Sequence, residues 1–175
     1  MTFDIISYME DVARRLKSIG HDPENKKSHF FKCSGITALE ELMEKLTHAE
    51  YPALCVVDNP EGRLIDQTSS NLLDNQYYYF FVIDKAKIND ANDRKATIDR
   101  CKVIYKKILS KMFRDQLAEQ RERLQGGTGL RNLNRGDISY KAIGPLGDSC
   151  YGMWASFTLL NTTGIVYNED DWTAI

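Results

Sequence analysis

Three aspartates flank the part of the chain with the strongest strand patterns. Asp58 follows an apolar run, Asp66 lies in the next strand-like run, and Asp84 ends an aromatic run. Carboxylates that converge on a sheet edge beside a lysine can hold Mg²⁺ for phosphodiester cleavage. However, Asp58 also fits a turn and Asp84 a strand end, and Lys-Ala-Lys follows Asp84 in place of an acidic-x-Lys triplet. A magnesium-dependent nuclease is therefore an alternative and not the first expectation.

Other catalytic and metal-binding patterns are weak. His29 and Cys33 are four residues apart in a strand-like segment, and no second pair has zinc-ligand spacing. No serine or cysteine lies in a nucleophile-elbow motif. The GGTG segment at 126–129 follows a helical pattern and lacks the Lys-Ser/Thr of a phosphate-binding loop. We therefore expect no catalytic residue, cofactor or metal. The four cysteines, expected to be reduced core thiols, are Cys33, Cys55, Cys101 and Cys150.

A lysine-rich helical segment carries a locally basic face. Apolar residues recur at helical spacing across residues 89–125, and Lys106 and Lys107 lie off that apolar stripe. The simplest interpretation is the solvated side of an amphipathic helix. Binding of nucleic acid, or of an acidic neighbouring subunit, is the alternative. The net charge of −2 gives no bulk attraction to nucleic acid or anionic membranes, so neither is an expected partner.

Five consecutive aromatic residues, Tyr77 to Phe81, form the centre of a strand-like run. Successive side chains of a strand point to opposite faces, so this run places aromatic rings on both faces of its sheet. One set can pack beneath the long helix, and the other needs a second cover or a partner. Tyrosine and tryptophan are enriched at interfaces. The candidate interface residues are Tyr77, Tyr79, Phe81, Trp154, Trp172, Lys106 and Lys107.

Hydrophobic periodicity predicts the elements that position these residues. Helices are predicted at about residues 3–19, 38–48 and 89–125. Strands are predicted at 29–34, 53–57, 63–68, 77–83, 138–143 and 150–160, with a turn at 58–62 and a final edge segment at 165–167. The strand at 150–160 is apolar on both faces, so it is expected to be central or covered by a partner chain.

These elements predict one α+β domain spanning residues 1–175, with flexible loops near 20–28 and 126–137. Short connections favour antiparallel neighbours. The expected fold is a mostly antiparallel sheet of about four to six strands, packed against a long helix, with an N-terminal helix and a short second helix. The start of the chain lacks the basic residues and solid apolar block of a signal peptide, so a cytoplasmic protein is expected.

The order of elements resembles that of small α+β proteins at the ends of phage and prophage tails. These are the tail-terminator or tail-completion proteins and their relatives at the head–tail joint. The stretch YPALCVVDNPEGRLIDQTSSNLLDNQYYYFFVID corresponds to the central hairpins, and residues 93–113 to the crossing helix. SCYGMWASFTLL and YNEDDW correspond to the C-terminal strand and end.

The resemblance implies a structural protein and not an enzyme. It implies self-association into a ring, with a hexamer as the expected size, at the end of a tail tube. Tail-tube or head-completion proteins are the implied partners. The implied location is the bacterial cytoplasm before assembly and the virion or tail particle afterwards.

Overall fold

The computed structural model describes residues 3–34, 38–68, 71–122, 129–147, 149–163 and 165. The helices are α1 (Ile5–Arg15), α2 (Ala38–Thr47) and α3 (Ala91–Glu122). The strands are β1 (Phe30–Ser34), β2 (Ala53–Thr68), β3 (Asn71–Lys85), β4 (Leu133–Leu146) and β5 (Cys150–Thr162). The predicted α+β class is confirmed, with its N-terminal helix, short second helix and long third helix.

The five strands form one sheet with the order β1-β2-β3-β5-β4. The pairs β2–β3, β3–β5 and β4–β5 are antiparallel, whereas β1 and β2 are parallel. The parallel pair arises because the connection from β1 to β2 contains α2, which gives the chain the length to cross over. The sheet is therefore mostly antiparallel, as predicted, and mixed. Strand β5 lies between β3 and β4, in a central position.

The two faces of the sheet are covered by different helices. On the long-helix face, Phe80 and Phe157 belong to one buried cluster with Met9 of α1 and Ile108 of α3. On the opposite face, which we call the α2 face, Leu42 and Leu46 of α2 belong to a second buried cluster. The sheet residues of that second cluster are Cys33, Cys55, Ile83 and Cys150. The four cysteines are free and buried, as expected for core thiols.

Local contacts fix the position of α1. The Asp4 side chain accepts hydrogen bonds of 3.0 and 3.1 Å from the backbone N–H groups of Ile6 and Ser7, which is a typical N-cap. At the other side of the helix, the Tyr8 hydroxyl donates a 2.8 Å hydrogen bond to Asp115 of α3. Helix α1 ends at Arg15, four residues before the predicted end. The chain then makes a turn that still buries Ile19.

The turn predicted at 58–62 is wrong, because β2 runs without a break from Ala53 to Thr68. The turn-forming residues instead coincide with a register shift against β3 between Val57 and Glu61. Among the described residues, β1 pairs with β2 as far as Asp58, and Pro60 lies beyond the last of these pairs. A proline is tolerated where no described ladder pair needs its missing N–H. The connection between β2 and β3, at 69–70, lies outside the described residues.

Strands β3 and β4 are also longer than predicted. The polar segment at 71–76 belongs to β3, since it pairs with both β2 and β5. Strand β4 begins at Leu133, inside the loop predicted at 126–137, of which residues 126–128 lie outside the described part of the chain. In the loop predicted at 20–28, Pro23–Asn25 forms a 3₁₀ turn capped by Asp22. Of the predicted edge segment at 165–167, only Ile165 is described, and it is not part of a strand.

Candidate self-assembly surface

The α2 face of the sheet is only partly covered by its helix. Phe81 packs against the buried cluster beneath α2. Two residues further along the same face of β3, Tyr79 belongs to neither buried cluster of the described residues, and the same is true of Trp154 on β5. Both rings remain half-buried. This face therefore presents aromatic surface beyond the end of α2.

Tyr79 and Trp154 form the centre of this uncovered surface. Their ring centroids are 5.8 Å apart, and the ring planes are inclined by 27°. The Lys141 Nζ atom lies 4.9 Å from the Trp154 ring centroid, and Glu61 accepts a 2.8 Å hydrogen bond from the Tyr79 hydroxyl. Burial, reinforced by the bond to Glu61, raises the pKa of Tyr79 to about 12, so the phenol stays a donor at neutral pH. We call these four side chains the aromatic patch.

Strand register brings the patch together. Trp154 pairs with Phe81 on one side and with Lys141 on the other, which places all three side chains on one face. Tyr79 pairs with Ser156, one step along the same face, so its ring lies diagonally beside Trp154. A period-2 alternation in three adjacent strands is sufficient to produce this surface.

The other predicted interface residues have different surroundings. Phe81 is used within the fold, where it packs against the α2 cluster. Tyr77 pairs with Glu61 just beyond the register shift and lines a cavity. Trp172 lies outside the described residues. The structure thus brings Tyr79 and Trp154 together and places Tyr77 beside them along β3, with Phe81 on the α2 side.

A cavity of about 510 Å³ opens where the register shift separates β2 from β3, next to the start of α1. We call it the hairpin cavity. Its aromatic lining comes from Phe3, Tyr77 and Tyr78, and its carboxylates are Asp4, Asp58, Glu61 and Asp74. Within the described chain, its lining contains no lysine or arginine. The hairpin cavity is therefore both acidic and aromatic.

The solvent side of α3 is basic. Lys106 and Lys107 are both exposed, whereas their neighbours Tyr105 and Ile108 are buried, as predicted for an amphipathic helix. An exposed row follows this side at alternating spacings of four and three residues. We call it the outer stripe, and it consists of Val103, Lys107, Ser110, Arg114, Leu117 and Arg121.

The three aspartates of the nuclease alternative do not converge. Asp66 pairs with Leu72 at one end of β3, and Asp84 lies twelve residues further along the same strand. At roughly 3.3 Å per residue these positions are about 40 Å apart. The Asp84 carboxylate forms an ion pair with Arg100, with 3.2 Å between Oδ2 and Nη2. Asp58 lies on β2, at the last position that pairs with β1. The structure therefore does not place a shared metal site among them.

No protein-family model matches the chain, and no curated protein is significantly similar to it. In the described part of the chain, no group of three or more His, Cys, Asp or Glu side chains is arranged to hold a metal ion. None of the described helices is both long enough and apolar enough to cross a membrane. The arrangement of the surfaces described above is therefore the basis for a functional assignment.

Sequence reasoning did not identify Lys141 and Glu61 as members of the patch. Lys141 lies within a predicted strand, but its position over Trp154 depends on the β4–β5 register, which periodicity alone does not specify. Glu61 lies in the segment predicted as a turn, so its strand neighbour Tyr77 was not apparent. The polar residues Lys141 and Ser156, which lie on the same face as Trp154, were the available sign that this face is not a closed core.

Proposed function

We propose that this chain is a structural protein of a phage or prophage tail, of the tail-terminator or tail-completion type. It acts by assembling into a ring at the end of a tail tube, and its expected partners are further copies and tail-tube or head-completion proteins. The observation that carries the proposal is the aromatic patch. Tyr79 and Trp154 stack on a sheet face that α2 leaves uncovered.

The composition of the patch supports association with another protein. Two stacked aromatic rings supply a large apolar contact at low cost in conformational entropy. Lys141 and Glu61 lie against these rings and supply polar groups, in the pattern of an interface core with a polar margin. A second protein that covers the two rings would remove them from water and could bind Lys141 and Glu61 at their margin.

One edge of the described sheet also supports self-association. Strand β4 has 14 residues and, within the described part of the chain, pairs only with β5, and most of its side chains are exposed. An edge of this kind can pair with a strand of another chain. A ring needs two different surfaces on each copy, one that meets the preceding copy and one that meets the next. The patch and the adjoining β4 edge share Lys141, so together they form one of the two surfaces that such contacts need.

The proposed role depends on association and requires no catalytic group. The enzymatic alternative requires Asp58, Asp66 and Asp84 at one site, and their positions along β2 and β3 separate them. The nucleic-acid-binding alternative depends on the lysine-rich side of α3.

Solution mass tests the proposal directly. Light scattering coupled to size-exclusion chromatography should give a mass that is a whole multiple of 20.1 kDa. Negative-stain microscopy should show closed rings with a central opening. Added to preassembled tail tubes, the chain should bind and cap the tube ends. Trp154→Ala should reduce assembly. Ile88→Ala should not, since it removes an apolar side chain that is 67% exposed but lies away from the patch.

A further inference from the structure

We infer that the ring contact pairs the outer stripe of α3 in one copy with the hairpin cavity of the next copy. The inference rests on the proposed ring assembly and specifies the two surfaces that meet. In this contact, lysine and arginine side chains of the stripe enter a cavity lined by carboxylates and aromatic rings. Each copy contributes one surface of each kind.

The outer stripe carries basic side chains that form no ion pair within the described part of the chain. Lys107, Arg114 and Arg121 are exposed and form no hydrogen bond or ion pair with any other described residue. By contrast, Arg100 pairs with Asp84, and Lys111 pairs with Asp115. From Val103 to Arg121 the stripe is about 27 Å long at 1.5 Å per residue, which is enough to span a protein interface.

Two apolar side chains in the stripe favour a protein partner over nucleic acid. Val103 is 54% exposed and begins the row next to Lys107, and Leu117 is 42% exposed and lies between Arg114 and Arg121. A phosphate backbone offers no apolar group to cover them, and nucleic-acid affinity depends mainly on phosphate contacts. A protein surface with carboxylates next to aromatic rings offers partners for both kinds of side chain.

The hairpin cavity of the same chain is such a surface. The Asp58 side chain lines it and forms no hydrogen bond or ion pair with another described residue, so its carboxylate is available to a second molecule. Phe3, Tyr77 and Tyr78 line the same cavity, and aromatic faces attract the cationic heads of lysine and arginine. Glu61 lines the cavity and also binds Tyr79, so the cavity is continuous with the aromatic patch.

The two surfaces differ and lie on separate elements, so their contact is of the head-to-tail type. Contacts of this type close into rings when the rotation between copies permits, whereas self-matching contacts give dimers. Opposite charges also fix which surface meets which, because two stripes or two cavities repel each other. A ring is therefore the assembly that this pair of surfaces favours.

Charge reversal on each surface tests the contact. The stripe variant is Lys107→Glu with Arg114→Glu, and the cavity variant is Asp58→Lys with Asp74→Lys. Each variant should weaken self-association by about 10- to 100-fold, as expected for lost interfacial charge pairs. An equimolar mixture of the two variants should restore the ring, because each reversed surface then meets a reversed partner.

Two matched control variants carry the same change in net charge at positions outside both surfaces. Arg94→Glu with Lys95→Glu changes two exposed residues in the first turns of the same helix, and Glu24→Lys with Glu44→Lys changes two exposed acids. Both controls should assemble like the unmodified chain. Thermal melting followed by circular dichroism tests whether each variant remains folded. Added salt should weaken the unmodified ring, because exposed charge pairs are screened.

Three results would overturn the inference, and they have different consequences for the proposed function. A ring that persists in both reversal variants excludes the stripe–cavity contact but leaves ring assembly intact. A monomeric unmodified chain at every concentration and salt excludes both. Tight binding of duplex DNA that the stripe variant abolishes, with no change in subunit number, assigns the stripe to nucleic acid instead.

Discussion

Tyr79 and Trp154 stack with ring centroids 5.8 Å apart on a sheet face that no helix of the described chain covers at that point. The chain has two tryptophans, so a Trp172→Phe variant makes Trp154 the sole indole reporter. On assembly, its fluorescence should shift to shorter wavelength, and quenching by acrylamide should fall, because a neighbouring copy excludes water from the half-buried ring. An unchanged spectrum, accompanied by an increase in mass, would place the interface elsewhere.

Tyr8 links the first and third helices through its 2.8 Å hydrogen bond to Asp115. Tyr8→Phe should lower the free energy of unfolding by about 1.5 to 3 kcal/mol, the range for a hydrogen bond to a charged acceptor. Asp115 remains paired with Lys111 in this variant, so no buried charge is left alone. Urea unfolding measures the change. Tyr140→Phe is the control, since that ring is 54% exposed and should alter stability little.

Gly152 lies in the central strand β5 directly opposite Ile83 of β3. A Cβ atom there would lie 2.0 Å from the backbone oxygen of Val82, so the two strands would have to separate. Gly152→Ala should therefore destabilise the fold by about 3 kcal/mol or more. Gly136→Ala is the matched control, because its nearest neighbour, Asn134 Oδ1, would lie at 3.5 Å. A Gly152→Ala protein that melts like the control would contradict the register of this strand pair.

His21 should make stability depend on pH. The side chain is buried, and this burial holds its pKa below the ordinary value of 6.5. The unfolded chain therefore binds the proton more readily than the folded chain does. The contribution of neutral His21 to the free energy of unfolding is fully present above pH 6.5 and is lost as the pH falls through and below that value. Thermal melts from neutral to mildly acidic pH should show this loss, and His21→Gln should reduce it. His48→Gln, which replaces an exposed histidine, is the matched control.

Sequence periodicity predicted the elements whose side chains alternate strongly. Helix α3 was identified from its buried row, which includes Ile108 and Met112, and β5 from its apolar residues on both faces. The aromatic run at 77–81 correctly indicated a strand with rings on both faces, because a period of two leaves no alternative. These features depend on local order along the chain.

Features that depend on pairing between distant segments were less predictable. The residues from Asp58 to Gly62 have turn chemistry, yet the structure uses them in a register shift, because β3 continues alongside β2 beyond them. The hairpin cavity lies at that shift, and periodicity along a single strand does not predict it. Lys141 likewise reaches Trp154 through strand register. Turn-forming residues suit bulges as well as turns, and only the partner strand decides between them.

The mass of the protein in solution tests the central claim most directly. Light scattering of the unmodified chain, across a wide concentration range at low salt, should show a closed ring of identical copies that Trp154→Ala weakens and Ile88→Ala leaves intact. A chain that remains at 20.1 kDa under all these conditions, and also beside the tail-tube protein, would contradict the account.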